Sequence, residues 1–425
     1  MKLSLAMFWS SAFAALAATV PVTDSISQAI SRAQPGDTIL IQGPRVFQER
    51  VVIDKPLRLI GTNSPAIDAG NSGTPLIVAA PDCEVQGLVI QNSGRDLSAF
   101  DSGIMITGAR AIVRDCHLQN DAFGIYIRGV DGCVLERNEI FGRTNLPAAA
   151  RGNGIHVWKS QRNRILNNVI HDKRDGMYFS YANDNLISGN RVHDTRFGIH
   201  YMYSNQNRLV TNSLTHNAVG ATLMFSRQLV VEGNQMIANR RHGLVLKQID
   251  NSQILRNVVA GQNRGFVVQQ ANKNRFEGNV IATNDIGLYL SNASDQNVFV
   301  GNAFIRNSDQ VWQPPFETEQ GRHGPNAFSE RGRGNYWSDY TGGDRNQDGI
   351  GDTPYHETDV YGYIVDRHSE ARVLALSPAV TLLRKGEELM PLLDTVGVTD
   401  LAPLMNPPSF SANLRQHSAI ASKIK

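Results

Sequence analysis

From Gly154 to Asn302 a glycine, a block of alternating apolar residues and an asparagine return together about every 22 residues. Gly154, Gly176, Gly198, Gly220, Gly243, Gly265 and Gly287 mark the register, each opening a short strand pattern: GIHV, GMYF, GIHY, GATL, GLVL, GFVV and GLYL. About fourteen residues after each stands Asn168, Asn190, Asn212, Asn234, Asn257, Asn279 or, with one residue inserted, Asn302. A unit this short holds two or three strands and their turns at roughly 3.3 Å per residue, leaving no room for the helix pair of a tetratricopeptide or ankyrin repeat. The leucine consensus of leucine-rich repeats is absent, and Val, Ile, Phe and Tyr dominate. The period therefore predicts an all-β fold, a right-handed parallel β-helix with one coil per repeat and coils stacked about 4.8 Å apart. Asparagines recurring at a bend hydrogen-bond one another up the stack and satisfy buried turn amides, and asparagine tolerates the left-handed backbone that bends need. This ladder holds the coil together and does no chemistry.

The rest of the chain is organised around that array. Lys2, the apolar run Leu3 to Leu16 and the small residues around Ala15-Leu16-Ala17 predict an export signal over residues 1–17, hence a periplasmic protein. No apolar run near 20 residues follows, so no transmembrane helix remains after its removal. The net charge of +2, with no basic run interleaved with aromatics, gives no case for nucleic acid. The β-helix is expected over residues 18–310, its open N-terminal end covered by an amphipathic helix at Ser25 to Ala33. Between Gly124 and Gly154 the spacing stretches to 30, so Phe141 to Asn153 carries an inserted loop of about eight residues. Residues 311–370 form a C-terminal cap around GNYWSDYTGGDRNQDGIGDTPY, and residues 371–425 an amphipathic helix at Pro378 to Leu393 with a flexible tail from Pro403. Cys83 and Cys133 fall on the column of Asn163, Asn185 and Asn207, and Cys116 on that of Asn138 and Asn168. Two coils separate Cys83 from Cys133, beyond disulfide reach, so buried thiols are expected.

Three groups of residues point to chemistry. Asp344, Asn346, Asp348, the Ile350 carbonyl and Asp352 have the spacing of a structural Ca²⁺ loop, with Gly349 at the sharp turn. Tyr355 stands where the bidentate Glu would be, which leaves Glu357 to replace it or the loop to be an ion-free cluster of Asx turns. Second, strand alternation sends Tyr126, Arg128, His156, Trp158, Tyr178, Ser180, His200, Met202, Thr222 and Met224 outward. That face is too aromatic for solvent, and Tyr126, Trp158 and Tyr178 read as partner-binding. Imidazole and thioether suit Cu(I) in transit, which makes His156, His200, Met202 and Met224 candidate ligands, with His171 and His193 stacked on the next sheet. Third, β-helices often cleave polysaccharides, and Asp172, Arg174, Asp175, Asp194 and Arg196 would be the carboxylates and arginines of such a site. Neither the DPHD sequence of alginate epimerases nor the paired-aspartate and GHG pattern of polygalacturonases is present.

The export signal, the laddered coils, the GNYWSDYTGGDRNQDGIGDTPY segment and the SPAVTLLRKGEELMPLL helix together resemble the NosD family, periplasmic accessory proteins of nitrous oxide reductase maturation. The resemblance implies a non-catalytic role in assembling the copper-sulfur centres of that enzyme, with an ABC transporter, a copper chaperone lipoprotein and the apo nitrous oxide reductase as partners. The helix bearing Leu382, Leu383, Leu389 and Leu392 would contact the transporter permease or else cap the solenoid. The copper ligands above rest on the residues and not on the family. The competing reading is a periplasmic polysaccharide lyase or uronan epimerase.

Overall fold

The computed structural model describes residues 17–408 apart from 292, 314–324, 358–360, 362–363, 365–367, 375–376 and 390–397. The expected export signal lies outside these but for Ala17, as does Leu392, and so does the side chain of Leu389. Among the described residues the chain winds into a parallel β-helix of three sheets with 13, 12 and 13 strands. The 12-stranded sheet carries the longest strands and runs from Val51–Ile53 to Asp309–Trp312.

The 22-residue register is the stacking register. Ile155 pairs with Met177, Met177 with Ile199 and Ile199 with Ala221, each pair in adjacent parallel strands. Side chains alternate as a strand requires: Ile155, Val157, Met177, Phe179, Ile199, Tyr201 and Leu223 are all fully buried in the core. The recurring glycine is there for close approach. A Cβ on Gly176 would lie 2.2 Å from Val192 Cγ1 and 2.6 Å from the Gly198 carbonyl oxygen.

The asparagine ladder runs as expected. The Asn168 amide and Nδ2 donate to Asn190 Oδ1 at 2.9 and 3.0 Å, and Asn190 repeats this to Asn212 at 3.0 and 2.9 Å. Each Nδ2 also reaches a strand carbonyl, Asn190 that of Ile165 and Asn212 that of Ile187. One detail differs from expectation: the ladder asparagines are not the left-handed residues. Those stand one position earlier, at Asn167, Gly189, Thr211, Gly233 and Arg256, because an asparagine aimed inward at the stack needs its bend just before it. The cysteines take their places at the heads of the ladders, Cys116 donating its amide to Asn138 and Cys133 to Asn163. All three are free and buried. Burial pushes the Cys116 thiol up to about 12 and the Cys133 thiol to about 11, so they pack as apolar groups.

Both ends are closed. The helix Ile26–Arg32 buries Ile26, Ala29 and Ile30 against the first coil, and the Glu49 carboxylate accepts from the amides of Ile26 and Ser27 and the hydroxyls of Ser25 and Ser27 at its N-terminus. At the other end Tyr336–Trp337 pairs with Ala303 and Phe304, and the Trp337 ring stacks between Phe304 at 4.4 Å and Tyr355 at 4.2 Å. The Asn ladder terminates here on a carboxylate: Asn302 donates to Asn335, and Asn335 to buried Asp400 at 2.7 Å. The segment after Pro403 departs from the expected flexible tail. Pro403 accepts from Gly351 at 2.8 Å, Leu404 donates to Asn335 at 2.8 Å and Met405 to Gly349 at 3.0 Å, so residues up to 405 complete the cap.

A helix follows the expected start at Pro378 and is described to Leu389. It buries Val380, leaves Leu383 half-buried and holds Leu382 70% exposed, so Leu382 caps nothing. No helix among the described residues is long and apolar enough to cross a membrane.

Candidate functional site

Parallel pairing of the long strands lines the outward residues into columns. One column is Tyr126, His156, Tyr178, His200 and Thr222; the next is Arg128, Trp158, Ser180, Met202, Met224 and Lys247. Rings in the first column stack from coil to coil, at 4.6 Å from Tyr126 to His156, 4.9 Å from His156 to Tyr178 and 4.9 Å from Tyr178 to His200. His156 and His200, two coils apart, do not share one ion on this ladder, because the Tyr178 ring of the coil between them separates the two imidazoles.

The upper half of the face is covered by the chain itself. Phe100 lies 5.3 Å from the Tyr126 ring and 6.2 Å from Phe123, and Phe123 lies 5.4 Å from His156. Tyr126 is only 2% exposed, so this loop occupies the place expected for a partner. His156 is 8% exposed, its Nδ1 3.5 Å from Asn153 Nδ2. Burial, with the Arg174 charge adding to it, pushes its pKa down to about 4, so the imidazole is neutral.

The lower half is open. Trp158 and Tyr178 are half-buried, with the Lys159 ammonium 4.7 Å and the Arg128 guanidinium 5.8 Å from the Trp158 ring. Met202 and Met224 are half-buried register partners on adjacent strands, and His200 is two residues from Met202. Beside them Asp175 is 1% exposed and accepts two bonds from Arg196, each of 2.8 Å, with His200 Nδ1 3.5 Å away. Burial alone would raise the Asp175 carboxyl; His200 and Arg196 outweigh it and hold the group below the usual carboxylate range. A guanidinium-clamped carboxylate held below the usual carboxylate range is poorly placed to act as a general acid.

The other candidates are tied up locally. His171 and His193 stack at 4.9 Å with their planes 4° apart, their Nδ1 atoms 2.8 and 2.7 Å from Asp172 and Asp194. Imidazole lone pairs lie in the ring plane, so parallel stacked rings aim side by side and do not converge on one ion. In the Asp344–Asp352 segment the carboxylates turn to the loop's own amides, Asp344 to Asp348 and Gly349, Asp348 to Ile350, and Asp352 to Arg345. Tyr355 is committed to the stack on Trp337, and Glu357 to the Tyr355 hydroxyl and the Val311 amide. This is the Asx-turn arrangement. Among the described residues no three His, Cys, Asp or Glu side chains are grouped to hold a metal.

Sequence reading missed a buried charged cluster under the covering loops. Lys173, 1% exposed, donates from Nζ to the carbonyls of Asp121 and Ala122 at 2.8 and 3.3 Å. Arg143, at the root of the inserted loop, donates to the carbonyls of Asn120 and Ser93 and to Asn71 Oδ1. Burial pushes the Asp121 carboxyl up and the Lys173 amine down. The stretched Gly124-to-Gly154 spacing was the one signal in the sequence that this coil differs.

Residues 142–342 match the family model described as "Periplasmic copper-binding protein (NosD)". A curated relative from Stutzerimonas stutzeri, "Probable ABC transporter binding protein NosD", is 34% identical over 380 residues, 85% of this chain and 86% of that protein. A protein of the same name from Pseudomonas aeruginosa strain PAO1 is 36% identical over 374 residues, covering 84% and 86%. Among solved structures, the mannuronan C-5 epimerase AlgE6 A-module of Azotobacter vinelandii aligns with a TM-score of 0.57 at 13% identity, over 72% of this chain and 94% of that one. The Dettilon tailspike protein aligns at 0.50 and 15%, over 70% and 66%. At such identities they show the β-helix fold alone.

Proposed function

Since this chain belongs to the NosD family of periplasmic proteins, we propose that it is a non-catalytic copper-handling factor that helps assemble the copper-sulfur centres of nitrous oxide reductase. It works with an ABC transporter, receives Cu(I) from a copper chaperone lipoprotein and serves the apo-reductase. The observation that carries the reading is the open lower half of the outward face, where an imidazole and two thioethers come together on a surface otherwise covered or aromatic. Soft donors of that kind select the reduced ion. The transporter contact is assigned to the helix Pro378–Leu389: Leu382 stays exposed while Trp337, Tyr355 and Asp400 close the stack, which supports a partner role for its apolar face.

The test is the copper content of nitrous oxide reductase made in cells with and without this chain. Without it the reductase is expected to lack its copper-sulfur centre; full loading would sink the proposal. The uronan-enzyme alternative is weakened by the Arg196 clamp on Asp175. Turnover of alginate or another uronan by the purified protein would restore it.

A further inference from the structure

We infer that His200, Met202 and Met224 make one Cu(I) site, and that Asp175, held by Arg196, positions its imidazole; the inference rests on the copper-handling reading above. Met202 and Met224 face each other across adjacent strands, and His200 shares the strand Phe197–Met202 with the first of them. Neighbouring strands are about 4.8 Å apart and i, i+2 residues roughly 6.6 Å, spans that two unbranched thioether side chains can gather around one ion.

An unexplained cost marks the spot. Nε2 of His200 and the hydroxyl of its register partner Thr222 are shut off from solvent without a hydrogen-bond partner, and Nδ1 has Asp175 3.5 Å away. A buried polar atom left unpaired destabilises the fold. Other imidazoles have neighbours to satisfy them: His156 has Asn153, His171 has Asp172, His193 has Asp194 and His117 has Glu139. His200 Nε2 and His242 Nδ1 go unpaired, and His200 is the one that stands two residues from Met202 and beside the methionine pair, where a ligand supplies what it lacks.

The surroundings define which ligand. The carboxylate beside His200, Asp175, is already bonded twice by Arg196, and a lone Thr222 hydroxyl falls far short of the six to eight oxygens that Ca²⁺ takes. Ser180 bounds the methionine pair on one side and Lys247 on the other, which isolates one imidazole and two thioethers. Asp175, 3.5 Å from Nδ1, favours the tautomer with its proton there and leaves the Nε2 lone pair for the metal, as carboxylates do behind metal-bound imidazoles. Phe197 and Tyr178, each 4.9 Å from the His200 ring and edge-on to it, hold its plane.

The experiment is anaerobic Cu(I) titration of the full chain against a competing chelator, with X-ray absorption to count sulfur and nitrogen ligands. One Cu(I) per chain is expected, with mixed nitrogen and sulfur ligation. Met202→Leu combined with Met224→Leu keeps the packed volume and is expected to remove the sulfur signal. His200→Ala is expected to lower affinity by more than Asp175→Asn, which lowers it about tenfold. Asp175→Asn should keep the same ligand set, with a lower melting temperature because Arg196 loses its ion pair, and Asp175→Glu should recover affinity. His171→Ala and His193→Ala should bind as the parent does. Undiminished binding by the double methionine variant and by His200→Ala overturns the site and leaves the copper-handling reading standing. No Cu(I) bound by the parent overturns both.

Discussion

The outward face of the long-strand sheet is one continuous surface used in two ways. Around Tyr126 and His156 it is closed by Phe100 and by loops rooted in the buried Arg143 and Lys173 cluster, and every imidazole there has a neighbour. Around His200, Met202 and Met224 the coils follow one another without an inserted loop, both methionines stay half-buried, and His200 Nε2 and Thr222 go unpaired; the unpaired atoms of the covered half belong instead to its charged cluster, at Asp121 and Arg143. The difference teaches that the insertions protect rather than bind, while the ligand-ready residues lie on the regular coils next to them. Chemistry here is carried by outward substitutions on an unaltered repeat, which is how a solenoid adds a site without disturbing its stack.

The largest effect is expected where cover meets core. Lys173→Ala removes one of the two cations that compensate buried Asp121, leaving Arg143 alone, and strands the Asp121 and Ala122 carbonyls, which should cost about 3 kcal/mol in urea unfolding. Asp121→Asn added to Lys173→Met should recover most of that, because two buried charges then disappear together. A Lys173→Ala midpoint within error of the parent would mean that the loops do not depend on this cluster.

Acid should then separate the two halves. The folded His156 imidazole takes a proton only near pH 4 against 6.5 when unfolded, so between those values the unfolded chain binds more protons. Stability is therefore complete above pH 6.5 and declines as pH falls towards 4, by on the order of 3 kcal/mol from this group. His156→Gln should flatten that part of the stability profile. An equally steep profile in the variant would place the acid-sensitive group elsewhere.

How much of this was legible depended on repetition. The period, the inward and outward alternation, the asparagine ladder and the cysteines at Asn columns were readable because stacked coils demand like residues at like positions. The Phe100 cover, the Lys173 cluster and the Asp400 end of the ladder were not. Each is a single residue acting on a distant coil, Asp400 lying 65 positions beyond Asn335, with no repeat to mark it. The calcium-like spacing of Asp344 to Asp352 leaves two readings for a related reason: alternate oxygens around a glycine serve an Asx turn as readily as an ion, and here they meet the loop's own amides. Met202 and Met224 were readable as neighbours, but their link to Asp175 through His200 was not, since Asp175 sits on a different column and coil.

The smallest effect is the most discriminating. In the covered half, trimming a satisfied imidazole loses packing and a neighbour; in the open half, His200→Leu removes an unpaired buried Nε2 and keeps most of the apolar volume between Tyr178 and Phe197. The metal-free variant should unfold within about 1 kcal/mol of the parent, because relieving the unsatisfied Nε2 offsets the lost ring contacts and the lost Asp175 neighbour. Cu(I) should then stabilise the parent and leave His200→Leu where it was, since a ligand that binds only the folded state raises its melting temperature by mass action. A His200→Leu protein destabilised by several kcal/mol without metal would assign the imidazole to the fabric of the coil, and the two halves of the face would no longer differ in kind.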